Sequence, residues 1–133
     1  MNKIRGFSLL EVLITLAIIA ILATIAYPSY LAQTQKSYRT DGKLALLDTQ
    51  AQLERCYVEL FSFEACEKRL NMPIISPKGF YRISLDNPEN YILIATAIER
   101  QANDQHCAEL SVNQLGEYYA KDAQGKEHPL CWD

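Results

Sequence analysis

The first quarter of the chain is dominated by one apolar stretch. Residues 7–26 are twenty consecutive positions with a single charge, that of Glu11. Twenty helical residues at about 1.5 Å each span roughly 30 Å, the thickness of the hydrocarbon core of a bilayer. The pattern therefore predicts a transmembrane helix. The basic residues Lys3 and Arg5 precede it, so the positive-inside tendency predicts a cytoplasmic N-terminus and an exported remainder.

After Pro28 the chain becomes more polar, but its composition still predicts a helix. Residues 29–61 are rich in Ala, Leu, Gln, Lys and Glu, which are good helix formers. Apolar side chains recur at steps of seven, four and three residues and form one face, which neighbouring apolar residues widen. The first set is Leu46, Leu53, Tyr57 and Leu60, and the second set is Leu44, Leu47, Ala51 and Val58. We expect this amphipathic half of the helix to pack on a sheet.

Two residues interrupt the helical pattern. Pro28 lacks a backbone N–H and crowds the carbonyl of Thr24, so we predict that it bends the helix rather than ends it. The alternative is that Pro28 terminates the membrane anchor. Gly42 costs about 1 kcal/mol relative to alanine inside a helix and is a candidate position for a second bend.

The second half of the chain has the alternation of β-strands. A connecting segment at residues 62–78 is followed by strand-like runs at residues 80–85, 91–98, 107–112 and 117–120. The turns between them are short enough for hairpins. We therefore predict an α+β fold in which a long N-terminal helix packs on an antiparallel sheet of three to four strands, with a disulfide-closed loop at the C-terminus.

Composition and charge exclude some classes of function. The formal net charge is −3, and the sequence has no Lys/Arg cluster of the kind that a phosphate backbone requires, so nucleic acid is not directly indicated as a partner. Four cysteines on the side predicted to be exported suggest two disulfides, for which three pairings are possible. Zinc is the competing interpretation, but no C-x₂-C spacing occurs and the two histidines are scattered.

The sequence contains no convincing catalytic or metal-binding group. His106 neighbours Cys107, but adjacent residues on a strand point to opposite faces. His128 is expected to be solvated in a loop. Four acidic residues in turns could supply calcium ligands, namely Asp86, Asp104, Asp122 and Glu127. They lack the D-x-D-x-D-G spacing, so we expect them to be ordinary solvated turn residues. We predict no enzyme activity, no cofactor and no metal.

The carboxylate of Glu11 separates three interpretations of the apolar run. A secretory signal would have a shorter core and an A-x-A site, whereas here alanines recur at every third position, 17, 20, 23 and 26. A plain signal anchor leaves an unexplained charge that costs about 2.5–3.5 kcal/mol in the bilayer. Cleavage between Gly6 and Phe7 would create a positively charged amine near the helix start, and this amine could pair with Glu11 on the same or a neighbouring chain. Such a pair would set the register between packed helices.

These features together resemble the class III signal of type IV pilins. The resemblance rests on a short basic leader ending at Gly6, on Phe7 and Glu11, and on the apolar run that ends at the sequence YPSY, residues 27–30. The stalk helix, the late stretch CAELSVNQLGE (residues 107–117) and the final Cys-Trp resemble PilE-like minor pilins. The resemblance thus extends over most of the chain.

The resemblance implies a processing route and a set of partners. A membrane prepilin peptidase and N-methyltransferase would cut after Gly6 and methylate Phe7, which leaves Glu11 at the fifth position of the mature chain. Residues 1–6 would be the leader, 7–28 the transmembrane and assembly helix, and 29–133 the periplasmic pilin domain. Further implied partners are other pilin subunits, the pilus assembly platform and the bacterial inner membrane, and the final location is an extracellular fibre.

Position and resemblance together favour a particular cysteine pairing. They imply disulfides between Cys56 and Cys66 and between Cys107 and Cys131. A type II secretion pseudopilin, which shares the N-terminal signal, stays open as an alternative, and a membrane-anchored periplasmic enzyme is a more distant one. The sequence leaves open tip or shaft position, and adhesion, twitching or DNA uptake.

Overall fold

The computed structural model describes residues 6–133, and the basic residues Lys3 and Arg5 of the predicted leader lie outside the described residues. The helix α1, Leu9–Leu60, is 52 residues long and runs through Pro28 without a break. Pro28 therefore does not end the helix, while the predicted kink stays a prediction. The chain forms two compact units, one ending at Thr34 and the other comprising Gln35–Asp133.

The second unit contains an antiparallel sheet whose strands follow one another in sequence order. They are β1 (Ile74–Ile75), β2 (Tyr81–Asp86), β3 (Ile92–Ala97), β4 (Glu109–Asn113) and β5 (Tyr118–Lys121). The predicted α+β class is confirmed, with five strands rather than three or four. The additional strand is β1, a two-residue strand inside the segment that the sequence placed in a connection, and it is too short to show any alternation.

The core lies where the inward rows of the sheet meet α1. In one row, register places Ile83 beside Ala95, Ala95 beside Leu110, and Leu110 beside Ala120. These side chains are buried together with Leu46 and Leu53 of the helix. Along β2 and β3, alternate residues are buried, namely Tyr81 and Ile83, and Leu93 and Ala95, which accounts for the period-two pattern of the sequence.

The buried face of α1 differs from the predicted one. Leu46 and Leu53 are buried as predicted, but Leu44 and Val58 are 61% and 71% exposed. The other buried helical positions in this unit are Asp41, Gly42, Ala45, Thr49 and Cys56. Together with Leu46 and Leu53, these residues are linked by steps of three and four, so small and polar residues complete the face instead of the larger apolar ones. The predicted Leu47, Ala51, Tyr57 and Leu60 are exposed as well.

Gly42 allows α1 to approach the sheet closely. A β-carbon at this position would lie 2.7–2.9 Å from three ring carbons of Tyr81, well inside van der Waals contact. The Tyr81 ring is fully buried. The glycine is thus required by packing at the contact between helix and sheet, while a bend at this position stays a prediction.

A buried network joins α1 to the segment before β4. Asp104 accepts two hydrogen bonds from the guanidinium of Arg39, at 2.7 Å from Nε and 3.0 Å from Nη2. Gln101 Nε2 donates to Asp104 at 2.8 Å and to the Tyr81 hydroxyl at 3.1 Å. The backbone N–H groups of His106 and Cys107 also donate to Asp104, each at 3.2 Å. Asp104, predicted to be a solvated turn residue, is therefore a buried structural carboxylate.

The ion pair governs the protonation of Asp104. Burial alone would raise the pKa of Asp104, but the hydrogen bonds and charge of Arg39, with the two backbone N–H groups, outweigh burial and hold this pKa below its usual value. Burial likewise raises the pKa of Tyr81 to about 12. At neutral pH, the first shift keeps Asp104 ionised and the second keeps Tyr81 protonated.

The two disulfides close the segments that have little apolar material. Cys56 of α1 is joined to Cys66, and Cys107 is joined to Cys131, which is the pairing that the resemblance implied. Cys66 lies in α2, Phe63–Arg69, a short helix inside the segment predicted to be a connection. Its signals are present in the sequence, since Ser62 caps the helix by accepting from Ala65 N–H and Glu64 lies in the first turn.

Candidate functional site

The amino-terminal end of α1 brings the predicted processing and assembly residues together. Gly6, Phe7 and Ser8 lie before the helix, which begins at Leu9. The carbonyl of Ser8 accepts hydrogen bonds from the backbone N–H groups of Glu11 and Val12, at 3.1 and 3.3 Å. Glu11 therefore lies in the first turn of the helix, where the unpaired N–H groups give a partial positive charge.

The threonine hydroxyls of the apolar run are satisfied within the helix. Thr15 Oγ1 donates to the carbonyl of Glu11 at 2.7 Å, and Thr24 Oγ1 donates to the carbonyl of Ile21 at 2.7 Å. Such bonds to a preceding turn remove the need for an outside partner. The one charge of residues 7–26 is the carboxylate of Glu11, and no other described side chain forms an ion pair or hydrogen bond with it.

Gly6 has no packing role among the described residues. A β-carbon at Gly6 would meet nothing within 4 Å. No contact among the described residues therefore calls for glycine at this position. The cleavage site and the role of Glu11 remain predictions, because no contact within the described residues tests them.

The apolar part of α1 exposes its side chains on all sides. Phe7, Leu9 and Ile25 are 81%, 79% and 71% exposed, and none of the most apolar 18-residue window is buried. By length and composition, this helix can cross a membrane. An uncovered apolar surface of this size needs either lipid or other protein to cover it.

The candidate acidic and histidine side chains of the globular unit lie mostly in turns and loops. Residues 6–133 contain no group of three or more His, Cys, Asp or Glu side chains placed to hold a metal ion. Asp122 accepts hydrogen bonds from the backbone N–H groups of Gln124 and Lys126, at 2.9 and 2.8 Å, and so stabilises its own turn. His106 and His128, which the sequence suggested were scattered, have ring centroids 5.5 Å apart.

Two family models match this chain, one at the N-terminal apolar segment and one over the residues that follow it. The prokaryotic N-terminal methylation motif matches residues 1–27. The family described as type IV minor pilin ComP, DNA uptake sequence receptor, matches residues 28–111, which is more than half of the chain. The chain belongs to the type IV minor pilin family. This is a family of structural pilins and not an enzyme family.

Two curated relatives share parts of the pilin chain. Prepilin peptidase-dependent protein D of Escherichia coli (strain K12) is 33% identical over 67 residues, which are 50% of this chain and 46% of that protein. The fimbrial protein of Moraxella nonliquefaciens is 38% identical over 65 residues, 44% of this chain and 42% of that protein. The matched stretch covers less than half of each relative's length.

Proposed function

We propose that this minor pilin is a structural subunit of a type IV pilus. It is anchored in the inner membrane by residues 7–28, with the globular unit in the periplasm, until it enters the fibre through the same helix. The observation that carries the proposal is the uncovered apolar half of α1 with one carboxylate in its first turn, within a region that matches the methylation motif. The processing partner is a prepilin peptidase and N-methyltransferase, and the later partners are other pilins and the assembly platform.

The same helical surface serves two environments in this mechanism. In the membrane, lipid chains cover the exposed apolar side chains, and in the fibre neighbouring helices cover them. Because apolar area stays out of water in both, the transfer carries little net hydrophobic penalty. The carboxylate of Glu11 then selects productive neighbours, since a buried carboxylate is tolerated only beside a cation such as the new amine of Phe7.

The globular part of α1 and the residue after it also leave apolar side chains uncovered. Leu44, Val58 and Phe61 are 61%, 71% and 77% exposed. Within the second unit, Leu44 and Val58 lie on the side of α1 away from its buried residues, as 3.6 residues per turn requires, and Phe61 follows the end of the helix. We assign them to contacts with neighbouring subunits in the fibre, where their apolar area would be removed from water.

Glu11→Ala tests the assembly role. Cells that carry this substitution should retain the processed protein in the membrane but lose it from sheared fibres, which immunoblots of both fractions would measure. Glu11→Gln keeps the shape without the charge and should fail similarly. Thr15→Val, one turn away in the same helix, is the matched control and should incorporate normally. Normal incorporation of both Glu11 variants would contradict the proposal.

Gly6→Leu tests processing separately. Intact mass and N-terminal analysis of the native protein should show a methylated Phe7 as the first residue, whereas Gly6→Leu should keep the full leader. Gly6→Ala is a milder change and should be trimmed partially. Trimming of Gly6→Leu at Phe7 would show that the peptidase does not require glycine at this position. A native protein that keeps residues 1–6 would make the cleavage assignment wrong.

Binding of DNA by the globular unit is a second candidate function. It is favoured by the description of the matching family, which names a DNA uptake sequence receptor. Arg82 and Lys121 share one row of the outward sheet face, although Lys121 pairs with Glu109 at 3.5 Å. The acidic net charge of −3 places this function second. Gel-shift measurements over a salt series should show an affinity that falls with salt and a loss on Arg82→Ala.

The pseudopilin alternative predicts a different effect of gene deletion. A type II secretion role would leave pilus number unchanged after gene deletion and would reduce secretion instead. The matching of residues 28–111 to a pilin family supports the pilus role. Counting of pili and assay of secreted protein in the same deletion strain separate the two.

A further inference from the structure

The fold brings the two histidines of the chain together beside the C-terminal disulfide. His106 and His128 are 22 positions apart in the sequence, and their ring centroids lie 5.5 Å apart with an angle of 51° between the ring planes. His106 is exposed and His128 is partly exposed, so solvent and small ions can reach the pair. The proposed assembly role uses neither side chain.

The backbone at both histidines is held in place. The N–H of His106 donates to the buried carboxylate of Asp104 at 3.2 Å, and the next residue, Cys107, is bonded to Cys131. The N–H of His128 donates to the carbonyl of Ala120 at 2.9 Å, and the carbonyl of His128 accepts from the N–H of Cys131 at 3.1 Å. The disulfide and these hydrogen bonds hold the two backbone segments that carry the imidazoles near each other before any ligand binds.

This separation suits two imidazoles that share one metal ion. A metal–nitrogen bond of about 2.0–2.1 Å places each ring centre about 3 Å from the ion, so two rings at a tetrahedral angle have centres about 5 Å apart. The observed 5.5 Å differs from that separation by an amount that a small side-chain rotation removes. The distance between the ring centres is therefore compatible with both imidazoles binding one ion.

We propose that His106 and His128 form a two-histidine site for one divalent transition-metal ion. Imidazole nitrogen suits Cu²⁺, Ni²⁺ and Zn²⁺, and affinity should be highest for Cu²⁺ among them. Ca²⁺ and Mg²⁺ prefer oxygen ligands and should not compete. Because no cluster of three protein ligands occurs within residues 6–133, water completes the coordination.

A bound ion would act on the same loop as the disulfide. It would bridge the segment before β4 to the segment before the terminal 3-10 helix, Pro129–Trp132, and so reinforce the link between Cys107 and Cys131. An ion that binds the folded state alone stabilises it by mass action. At a hundredfold excess over the dissociation constant, the expected rise in Tm is on the order of 10 °C for a unit of this size.

The test uses the full processed chain in detergent, titrated with Cu²⁺ or Zn²⁺. Calorimetry should give one equivalent bound, and electron paramagnetic resonance of the Cu²⁺ sample should show two coordinated imidazole nitrogens. His106→Gln and His128→Gln should each weaken binding at least tenfold, since one imidazole alone is a poor ligand. Gln105→Ala, an exposed neighbour whose side chain makes none of these contacts, is the matched control and should bind as the parent does.

Two outcomes would overturn the proposal. One is Cu²⁺ affinity that survives in the variant lacking both histidines, which would assign binding to the terminal amine or to carboxylates. The other is retention of parental affinity in each single variant, which would show two independent imidazoles. Circular dichroism of each variant confirms that the fold is intact, and none of these outcomes depends on pilus assembly.

Discussion

Gly42→Ala is the substitution for which helix propensity and tertiary packing make opposite predictions. Alanine is favoured over glycine inside a helix by about 1 kcal/mol, so the local effect alone is stabilising. The new β-carbon, however, would lie 2.7–2.9 Å from ring carbons of Tyr81, whereas carbon atoms pack at about 3.5–4.0 Å. One contact must therefore lengthen by roughly 1 Å.

The ring of Tyr81 has little freedom to move away. It is fully buried, and its hydroxyl accepts a hydrogen bond from Gln101, which is itself bonded to Asp104. Overpacking of a core costs about 1–3 kcal/mol. After the propensity gain is subtracted, we expect Gly42→Ala to lower the free energy of unfolding by about 1 kcal/mol and the Tm by about 4–8 °C.

A double-mutant cycle with Tyr81→Leu isolates the contact. Thermal unfolding of the full chain in detergent, followed by near-ultraviolet circular dichroism, should show that Gly42→Ala is destabilising with the tyrosine and neutral or stabilising with leucine. The coupling energy should be about 1–2 kcal/mol. Stabilisation by Gly42→Ala in the parent protein, or the same effect in both backgrounds, would refute the reasoning.

Three further predictions concern the buried network and the C-terminal loop. Asp104→Asn should lower the free energy of unfolding at pH 7 by about 2 kcal/mol, as measured by chemical denaturation, because the guanidinium of Arg39 loses its ionised hydrogen-bond acceptor. Since the folded pKa of Asp104 is depressed, its contribution is complete above the unfolded pKa of about 3.9 and is lost as pH falls through the folded pKa, so acid titration of the Asn variant should be flatter. The pKa of Tyr81 is raised to about 12, so its contribution to the free energy of unfolding is complete below about pH 10 and is lost as pH rises towards 12. Tyr81→Phe should remove this pH dependence from a curve of stability against alkaline pH. Cys131→Ser should lower the free energy of unfolding by about 3 kcal/mol under oxidising conditions, and an unchanged Tm would argue against a stabilising role of the bridge to Cys107.

Elements whose pattern repeats over many residues could be predicted from the sequence. Alternation placed four strands within one or two residues of their observed bounds, because one face of the sheet packs on α1 and the other does not. The unbroken helix across Pro28 also followed from the pattern on both sides. The carboxylate of Glu11 pointed to processing because a charge inside a bilayer is costly and needs a partner, which cleavage before Phe7 would supply.

Contacts formed by small or polar residues could not be predicted in the same way. Counting large apolar residues assigned Leu44 and Val58 to the core, while Gly42 and Cys56 in fact lie against it. The buried state of Asp104 had no local signal, because its partner Arg39 is 65 positions away. Proximity of the histidines likewise depends on tertiary pairing that spacing cannot reveal.

The sequential order of the strands has a consequence for how the chain is made. Each strand from β2 onward pairs with the strand synthesised just before it, and α1 is already present when the first strand emerges. Each hairpin can therefore form as soon as its two strands have been synthesised. Contacts between residues that are near in sequence favour fast folding. Cys131 follows the last strand, so its bond to Cys107 can form only after all five strands have been synthesised.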